Sequence, residues 1–354
     1  MRVLVTGHRG YVGSVLTSVL KNAHFDVVGL DSDLYKGCDF GRVQEDIPAF
    51  ELDIRDLDFT DLLSFDAVVH LASLPEMACE NLNPSIIHEV NCCATMHLAE
   101  CCKQANVTRF LFASSCSVYG RGGRNLLDEQ SRVEPLTVHA QSKLWCEKRL
   151  SLLADASFVP VFLRNANVYG VSPRLRLDTV VNNFAVCGVT SGHVIMTSSG
   201  SAWRPLMHVE DLARTYAAIL SAPDEVVCNQ VFNVARNDEN YRVIDIADAV
   251  TELLPRCTRS TAEGAFDNQS SRVDGSKLTE AFPDLSFRWT LPLGIRQLRS
   301  ATSAGGLTPA DWRSDRYRRA LHLQYQIDHA ELDADLRPRG QRTCASAVGE
   351  NCGF

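Results

Sequence analysis

Apolar and polar positions along this chain follow two rhythms, and the switches between them mark out the elements. Val3-Leu4-Val5 is a short apolar run that ends in Thr6-Gly7-His8-Arg9-Gly10-Tyr11-Val12-Gly13. Val12, Val15, Leu16, Val19, Leu20 and Ala23 then recur at three- and four-residue spacing. The first pattern predicts a strand, the second a helix with one apolar face. Val27 to Asp31 predicts a second strand, Ser32 to Pro48 a loop, and Phe50 to Asp53 a third strand. Leu57 to Leu63 reads as a short helix, Ala67 to Leu71 as a fully buried fourth strand, and Pro84 to about Ala105 as one long helix. Arg109 to Ser114 is the fifth strand, followed by a glycine- and polar-rich loop. His139 to Leu153 is helical, and Phe158 to Arg164 is the sixth strand. Further on, Asp178 to Val189, Val209 to Ala222 and Val243 to Leu254 read as helices, with strands at Val194 to Thr197 and Val231 to Val234.

This alternation predicts a parallel sheet covered on both faces, with ligands at the carboxyl ends of its strands. Gly305-Gly306 breaks the chain. Asp311 to His329 reads as one helix bearing Arg313, Arg316, Arg318 and Arg319 among Trp312, Tyr317 and Tyr325. It is either a solvated helix packed on the body or a partner surface. A disordered tail is expected from Pro338 onward.

Composition narrows the class. The 354 residues suffice for two domains, or for one domain with a subdomain. Hydrophobic residues at 45% and charged residues at 22% are ordinary for a globular enzyme. A net charge of −8 at pH 7 argues against nucleic acid or an anionic membrane as partner. No apolar run approaches the ~18 residues of a membrane-spanning helix, and Met1 leads directly into the first strand. Neither a membrane span nor a secretory leader is therefore expected. Thirteen cysteines occur without a C-x-x-C pair, and Cys92-Cys93 and Cys101-Cys102 fall on a helix where adjacent side chains diverge. Reduced, mostly buried thiols in a cytoplasmic protein are expected, and no metal site.

The candidate chemistry begins at the glycine turn. A helix N-terminus offers outward N–H groups and a positive dipole, and glycines let a pyrophosphate approach the backbone. The spacing is G-x-x-G-x-x-G, and Asp31 stands eighteen residues after Gly13 at the end of the second strand. That is where a dinucleotide site needs an acid for the ribose.

Three further segments end strands or open a helix: Ser114-Ser115-Cys116-Ser117-Val118-Tyr119-Gly120, His139-Ala140-Gln141-Ser142-Lys143, and Arg164-Asn165-Ala166-Asn167-Val168-Tyr169-Gly170. Taken with the glycine loop, they resemble the extended short-chain dehydrogenases/reductases of the nucleotide-sugar epimerase/dehydratase group over about residues 1 to 300. Asp53-Ile54, His70-Leu71-Ala72-Ser73, Asn91, Arg204-Pro205-Leu206-Met207-His208-Val209-Glu210-Asp211 and Arg272-Val273-Asp274-Gly275-Ser276-Lys277 add to the likeness.

The resemblance implies an α/β fold, a doubly wound parallel sheet of the Rossmann type with a smaller C-terminal substrate-binding subdomain. Residues 1–170, with returning segments at about 206–236, would form the NAD-binding domain. About 171–205 and 237–302 would form the subdomain, and 303–354 a C-terminal helix and tail. It implies a cofactor site of Gly7, Arg9, Gly10, Tyr11, Val12, Gly13, Asp31, Asp53, Ile54, Leu71, Ala72 and Lys143. Ser115 would hydrogen-bond the reacting sugar oxygen, and Asn167, Arg204 and Arg272 would hold the diphosphate of a nucleotide sugar. Guanidinium groups suit phosphate through paired hydrogen bonds. A homodimer is expected.

One position departs from the group. Its active base is a Tyr four residues before the Lys, and His139 stands there. A free imidazole titrates near pH 6.5, so it is mostly neutral at pH 7. Three readings stay open: His139 is the acid/base with Ser115 and Lys143, another group moves the proton, or redox catalysis is lost. The acid–base pair that dehydratases carry after the strand-five serine is here Cys116 and Ser117, which disfavours a 4,6-dehydratase. Glu76 is a candidate second carboxylate or a solvated loop residue. Asp31 favours NAD over NADP, against the counter-signal of His8-Arg9, which resembles the loop of GDP-fucose synthase. The activity implied is a 4-epimerase-like transient oxidation and re-reduction. A net keto-sugar oxidoreductase and a catalytically silent sugar-nucleotide/NAD-binding protein are the alternatives.

Overall fold

The computed structural model describes residues 1–41, 47–75, 82–261 and 269–339. Seven parallel strands form the central sheet: β1 (Arg2–Thr6), β2 (Asp26–Asp31), β3 (Ala49–Glu51), β4 (Ala67–His70), β5 (Arg109–Ser115), β7 (Val159–Asn165) and β11 (Gln230–Val234). Their order is β11-β7-β5-β4-β1-β2-β3. The chain winds outward one way from β1 and then crosses to β4 and winds the other, so a crevice opens where β1 and β4 part company at their carboxyl ends.

Period-two alternation sorts the strands between two cores. Leu4, Val28, Leu30, Val68, Phe110, Phe112 and Phe162 face the helix Ala94–Gln104, contributing to one buried cluster. Val3, Val5, Val27, Val69, Leu111, Val161 and Leu163 face the other way, onto Leu16 and Leu20 of the helix Gly13–Asn22 and onto Leu212 and Tyr216 of Val209–Leu220. Burial on both faces explains why these strands read as unbroken apolar runs.

The remaining strands build smaller layers. β8 (Asn167–Tyr169), β10 (Trp203–His208) and β12 (Asn240–Arg242) form one sheet, with β9 (His193–Met196) and β13 (Thr258–Thr261) paired beside it. A third core, with Tyr169, Phe184, Leu206, Ile246 and Ile295, fills this region.

Four expectations need correction. The loop after β5 contains β6 (Arg121–Leu127), which pairs in parallel with β14 (Ser270–Val273). The long helix from Pro84 is interrupted by a π-helical segment, Glu89–Cys93. The helix read over 311–329 is three pieces, Pro309–Arg313, Asp315–Tyr317 and Arg319–Asp328, because Ser314 and Arg318 adopt extended backbone. Three of its four arginines sit on its own aromatics, Arg313 and Arg318 over Trp312 and Arg316 over Tyr317. Tyr317, Arg319 and Leu323 are buried against the body. Finally, Pro338 is not the start of a tail, because it pairs with Leu332 across a turn. Residues 340–354 of the expected tail, and Glu76, lie outside the described residues.

Candidate active site

The glycine turn has the backbone a dinucleotide requires. Gly7 sits at φ +73°, and a Cβ there would lie 2.7 Å from the Ala72 nitrogen. One on Gly13 would lie 2.2 Å from the Gly7 carbonyl oxygen. Neither site tolerates a side chain, so the start of the helix Gly13–Asn22 stays bare. Asp31 is fixed by two amides, Arg9 N–H to Oδ2 at 2.9 Å and Asp33 N–H to Oδ1 at 2.8 Å. The Arg9 guanidinium pairs with Asp33 at 3.3 Å and Glu51 at 3.2 Å. Two carboxylates thus claim Arg9 at the edge where a 2′-phosphate would need a cation.

A cleft of about 680 Å³, its open mouth included, runs along the ends of β1, β2 and β4. Gly7, Gly10, Asp31, Asp53, Ile54, Leu71 and Ala72 line it. Of the other expected cofactor residues, Tyr11 turns its hydroxyl onto the Gly170 carbonyl at 2.8 Å, and Val12 packs into the cores. The bare turn, the fixed acid and the apolar floor fit a dinucleotide. The expected residues do not include Tyr35, Leu52 or Leu336, which also line the cleft.

A second cavity, about 360 Å³ with its mouth, lies at the ends of β5 and β7. Ser115, Asn167 and Arg204 line it together with Asn165, Trp203, Gln269 and Ser271. Arg204 donates to the Trp203 and Gln269 carbonyls, and Asn167 donates to the Pro205 carbonyl at 3.2 Å. Arg272 does not join them on the lining. It stacks 4.9 Å from the Trp203 ring, and its buried Nε has no hydrogen-bond partner among the described residues.

His139 and Lys143 lie one turn apart on the helix Val138–Ser151. The His139 Nδ1–H donates to the Leu74 carbonyl at 3.2 Å, since a carbonyl can only accept. That fixes the tautomer and makes Nε2 the basic nitrogen. Leu74 is itself clamped by Asn91, which accepts from its N–H at 2.8 Å and donates to its carbonyl at 3.2 Å. Asn91 therefore supports the site through Leu74, from the π-helical segment.

Burial, and then the Lys143 charge, push the His139 pKa down to about 3. The ring is neutral at pH 7. His70 is similarly neutral, pushed to about 3 by burial and Lys143. Thr95 spends its proton on the Asn91 carbonyl at 2.9 Å, so His70 Nε2–H donates to Thr95 at 2.8 Å and Thr6 donates to Nδ1 at 2.7 Å. Lys143 is buried, with its ammonium 4.9 Å from the Phe112 ring.

Other protons are tied up. Tyr119 donates to Asn233 at 2.7 Å and accepts from Arg164 at 2.9 Å, and burial raises its pKa. Cys116 donates to the Arg164 carbonyl at 3.1 Å, and burial raises its thiol as well.

Residues 3–235 match the family described as NAD dependent epimerase/dehydratase. The chain belongs to this family, and its cofactor is NAD. A UDP-glucose 4-epimerase of Bacillus subtilis (strain 168) is 28% identical over 279 residues, 72% of this chain and 82% of that protein. The structure of MoeE5 in complex with UDP-glucuronic acid and NAD is 26% identical, with a TM-score of 0.74, covering 86% of this chain and 99% of that one. The structure of TunA, an NAD-dependent NDP-hexosamine 5,6-dehydratase, shares the fold at 22% identity and a TM-score of 0.77, over 86% of this chain and 98% of that one. Among the described residues no helix is long and apolar enough to cross a membrane.

Proposed function

We propose that this family member is a nucleotide-sugar epimerase, 4-epimerase-like and acting on a UDP-sugar, with His139 as its acid/base. The observation that carries the reading is the pairing of two cavities on one sheet. One is a dinucleotide cleft at β1, β2 and β4; the other is a polar cavity holding Ser115, Asn167 and Arg204 at β5 and β7. Bound NAD supplies reversible redox chemistry. Gly7, Gly10, Asp31, Asp53, Ile54, Leu71 and Ala72 hold it, with Arg9, Tyr11, Val12 and Gly13 shaping the loop. Ser115 orients the sugar hydroxyl, and His139 Nε2 takes its proton as the carbon is oxidised and returns it on re-reduction. Lys143 keeps that imidazole neutral between turnovers. Asn167 and Arg204 hold the diphosphate, with Arg272 behind Trp203.

A dehydratase needs an acid for the departing hydroxyl, and the committed thiol of Cys116 cannot serve. The likeness to UDP-sugar enzymes supports the substrate class. Free, mostly buried thiols among the described residues fit a cytoplasmic setting. We take the protein to be a homodimer, which light scattering tests.

One observation favours a second reading. An imidazole held near 3 is a weak base, as expected of a silent NAD- and sugar-nucleotide-binding protein. A UDP-sugar panel assayed with wild type and His139→Ala decides between them. Epimer formation without net NADH, lost in the variant, supports the proposal. Net NADH would mark an oxidoreductase, an inert wild type the silent protein, and unchanged turnover in His139→Ala another base.

A further inference from the structure

Residues 331–339, which run from just past the end of the expected helix into the expected tail at Pro338, form a closed turn against the cofactor cleft. Leu332 and Pro338 pair antiparallel; Asp333 N–H donates to the Arg337 carbonyl at 2.9 Å and Arg339 N–H to the Glu331 carbonyl at 3.0 Å. The Asp333 carboxylate accepts from the Asp335 and Arg337 amides at 2.9 and 2.8 Å. The turn forces Leu336 into left-handed backbone, φ +57°, where leucine is rarely found. Strain of this kind persists only where surrounding contacts over-determine it. Those contacts are visible: Leu336 is 1% exposed, packed in the core that holds Ile54, Leu74 and Val90, and it lines the cleft beside them.

Ion pairs hold the turn in place. Arg337 pairs with Asp56, at 2.9 Å from Nη2 to Oδ1, and reaches Asp53 at 3.4 Å. Arg55 grips Asp53 through Nε at 3.0 Å and Nη2 at 2.7 Å, and donates from Nη1 to the Asp335 carbonyl at 2.9 Å. The preceding helix braces the same wall, with the buried Arg319 guanidinium 4.6 Å from the ring of Tyr35, another lining residue.

We propose that residues 331–339 are a strap forming the outer wall of the adenosine end of the cofactor cleft, with Leu336 as its contact residue and Arg337 as a positioning residue, so that NAD is retained between turnovers. This rests on the reading that the cleft takes NAD. The strap adds apolar contact to the cleft where Leu336 lines it beside Ile54, Leu74 and Val90. It also gives Asp53 a structural duty, anchoring the strap through Arg55 and Arg337. An enzyme that re-reduces its own intermediate gains from such retention, because cofactor lost in mid-cycle strands the oxidised sugar.

The test measures release of labelled NAD from the purified full chain into excess unlabelled NAD, with thermal melting of the NAD-free protein alongside. Leu336→Gly keeps the left-handed turn, which glycine adopts freely, and deletes the side chain. Loss of a buried leucine contact should speed release on the order of tenfold; NAD-free melting should fall as well, because Leu336 also packs against Ile54, Leu74 and Val90, with relief of the left-handed backbone offsetting part of the loss. Arg337→Gln should speed release in the same direction, and it decides the matter if Leu336→Gly melts lower. Gly10→Val, which fills the cleft from the opposite wall, should abolish NAD binding. Wild-type release rates in both strap variants, with binding lost in Gly10→Val, overturn the strap and leave the cleft reading standing. Full NAD binding in a folded Gly10→Val protein overturns the cleft reading itself.

Discussion

The proposed mechanism asks something of each His139 nitrogen. Nδ1 is committed to Leu74, which leaves Nε2 for chemistry. Removing it should lower turnover by roughly 10²-fold or more, the usual contribution of a positioned acid/base, while leaving NAD retention intact. Steady-state kinetics and NAD release on His139→Ala read the two effects separately.

Its depressed pKa has a definite sign. Between the folded value of about 3 and the ordinary value near 6.5, the unfolded chain binds a proton that the native site refuses. This contribution to stability is full above about pH 6.5 and falls as pH drops below it, by ~1.4 kcal/mol per unit for such a group. Urea unfolding at pH 7 and pH 5 should therefore show a smaller loss in His139→Gln than in wild type. Equal losses would mean the native ring is readily protonated.

At this scale the sequence was legible wherever a residue type has a narrow job. Gly7, Gly13 and Asp31 fall where the geometry needs them. Leu336 was invisible, because an isolated leucine among polar residues carries no periodic signal.

Among the elements, the sheet strands were readable because burial on both faces leaves an apolar run with sharp ends. β6 was not. Its residues, Arg121 to Leu127, are glycine-rich and polar, and its partner β14 lies far along the chain. The π-helical segment was equally hidden, since an extra residue in a helical turn hardly disturbs an apolar stripe. Such segments recur at functional sites, and this one carries Asn91. Asn91→Ala removes two hydrogen bonds from Leu74 and leaves a buried N–H without its acceptor. A stability loss of about 2–3 kcal/mol is expected. A drop in turnover should accompany it, because the Leu74 carbonyl also orients His139. Unfolding curves together with kcat check this; a stability loss with unchanged kcat would confine Asn91 to a structural role.

Over the whole molecule, two cavities open along the carboxyl edge of one sheet, and different parts of the chain line them. The proposal puts NAD between the glycine turn and the C-terminal strap, and the sugar nucleotide among β5, β7 and β10. Arg204→Ala should therefore raise the KM for a UDP-sugar by at least tenfold, the scale of a lost charge-assisted contact, without changing NAD release. Faster NAD release in that variant would show that the two sites share their contacts. The general plan of alternating strands and helices was written in the sequence. The place of Leu336 on the cleft lining and the reach of Arg337 to Asp53, more than 250 positions away, were not, because a contact so remote leaves no local pattern.

Epimerisation by transient oxidation is tested by the mass of the product formed in D₂O from a UDP-sugar that the protein turns over. Transient oxidation and re-reduction returns the same hydrogen to the same carbon. The expected product is an epimer with the mass of its substrate, no carbon-bound deuterium and no net NADH. Deuterium on a sugar carbon, loss of water, or stoichiometric NADH would contradict it.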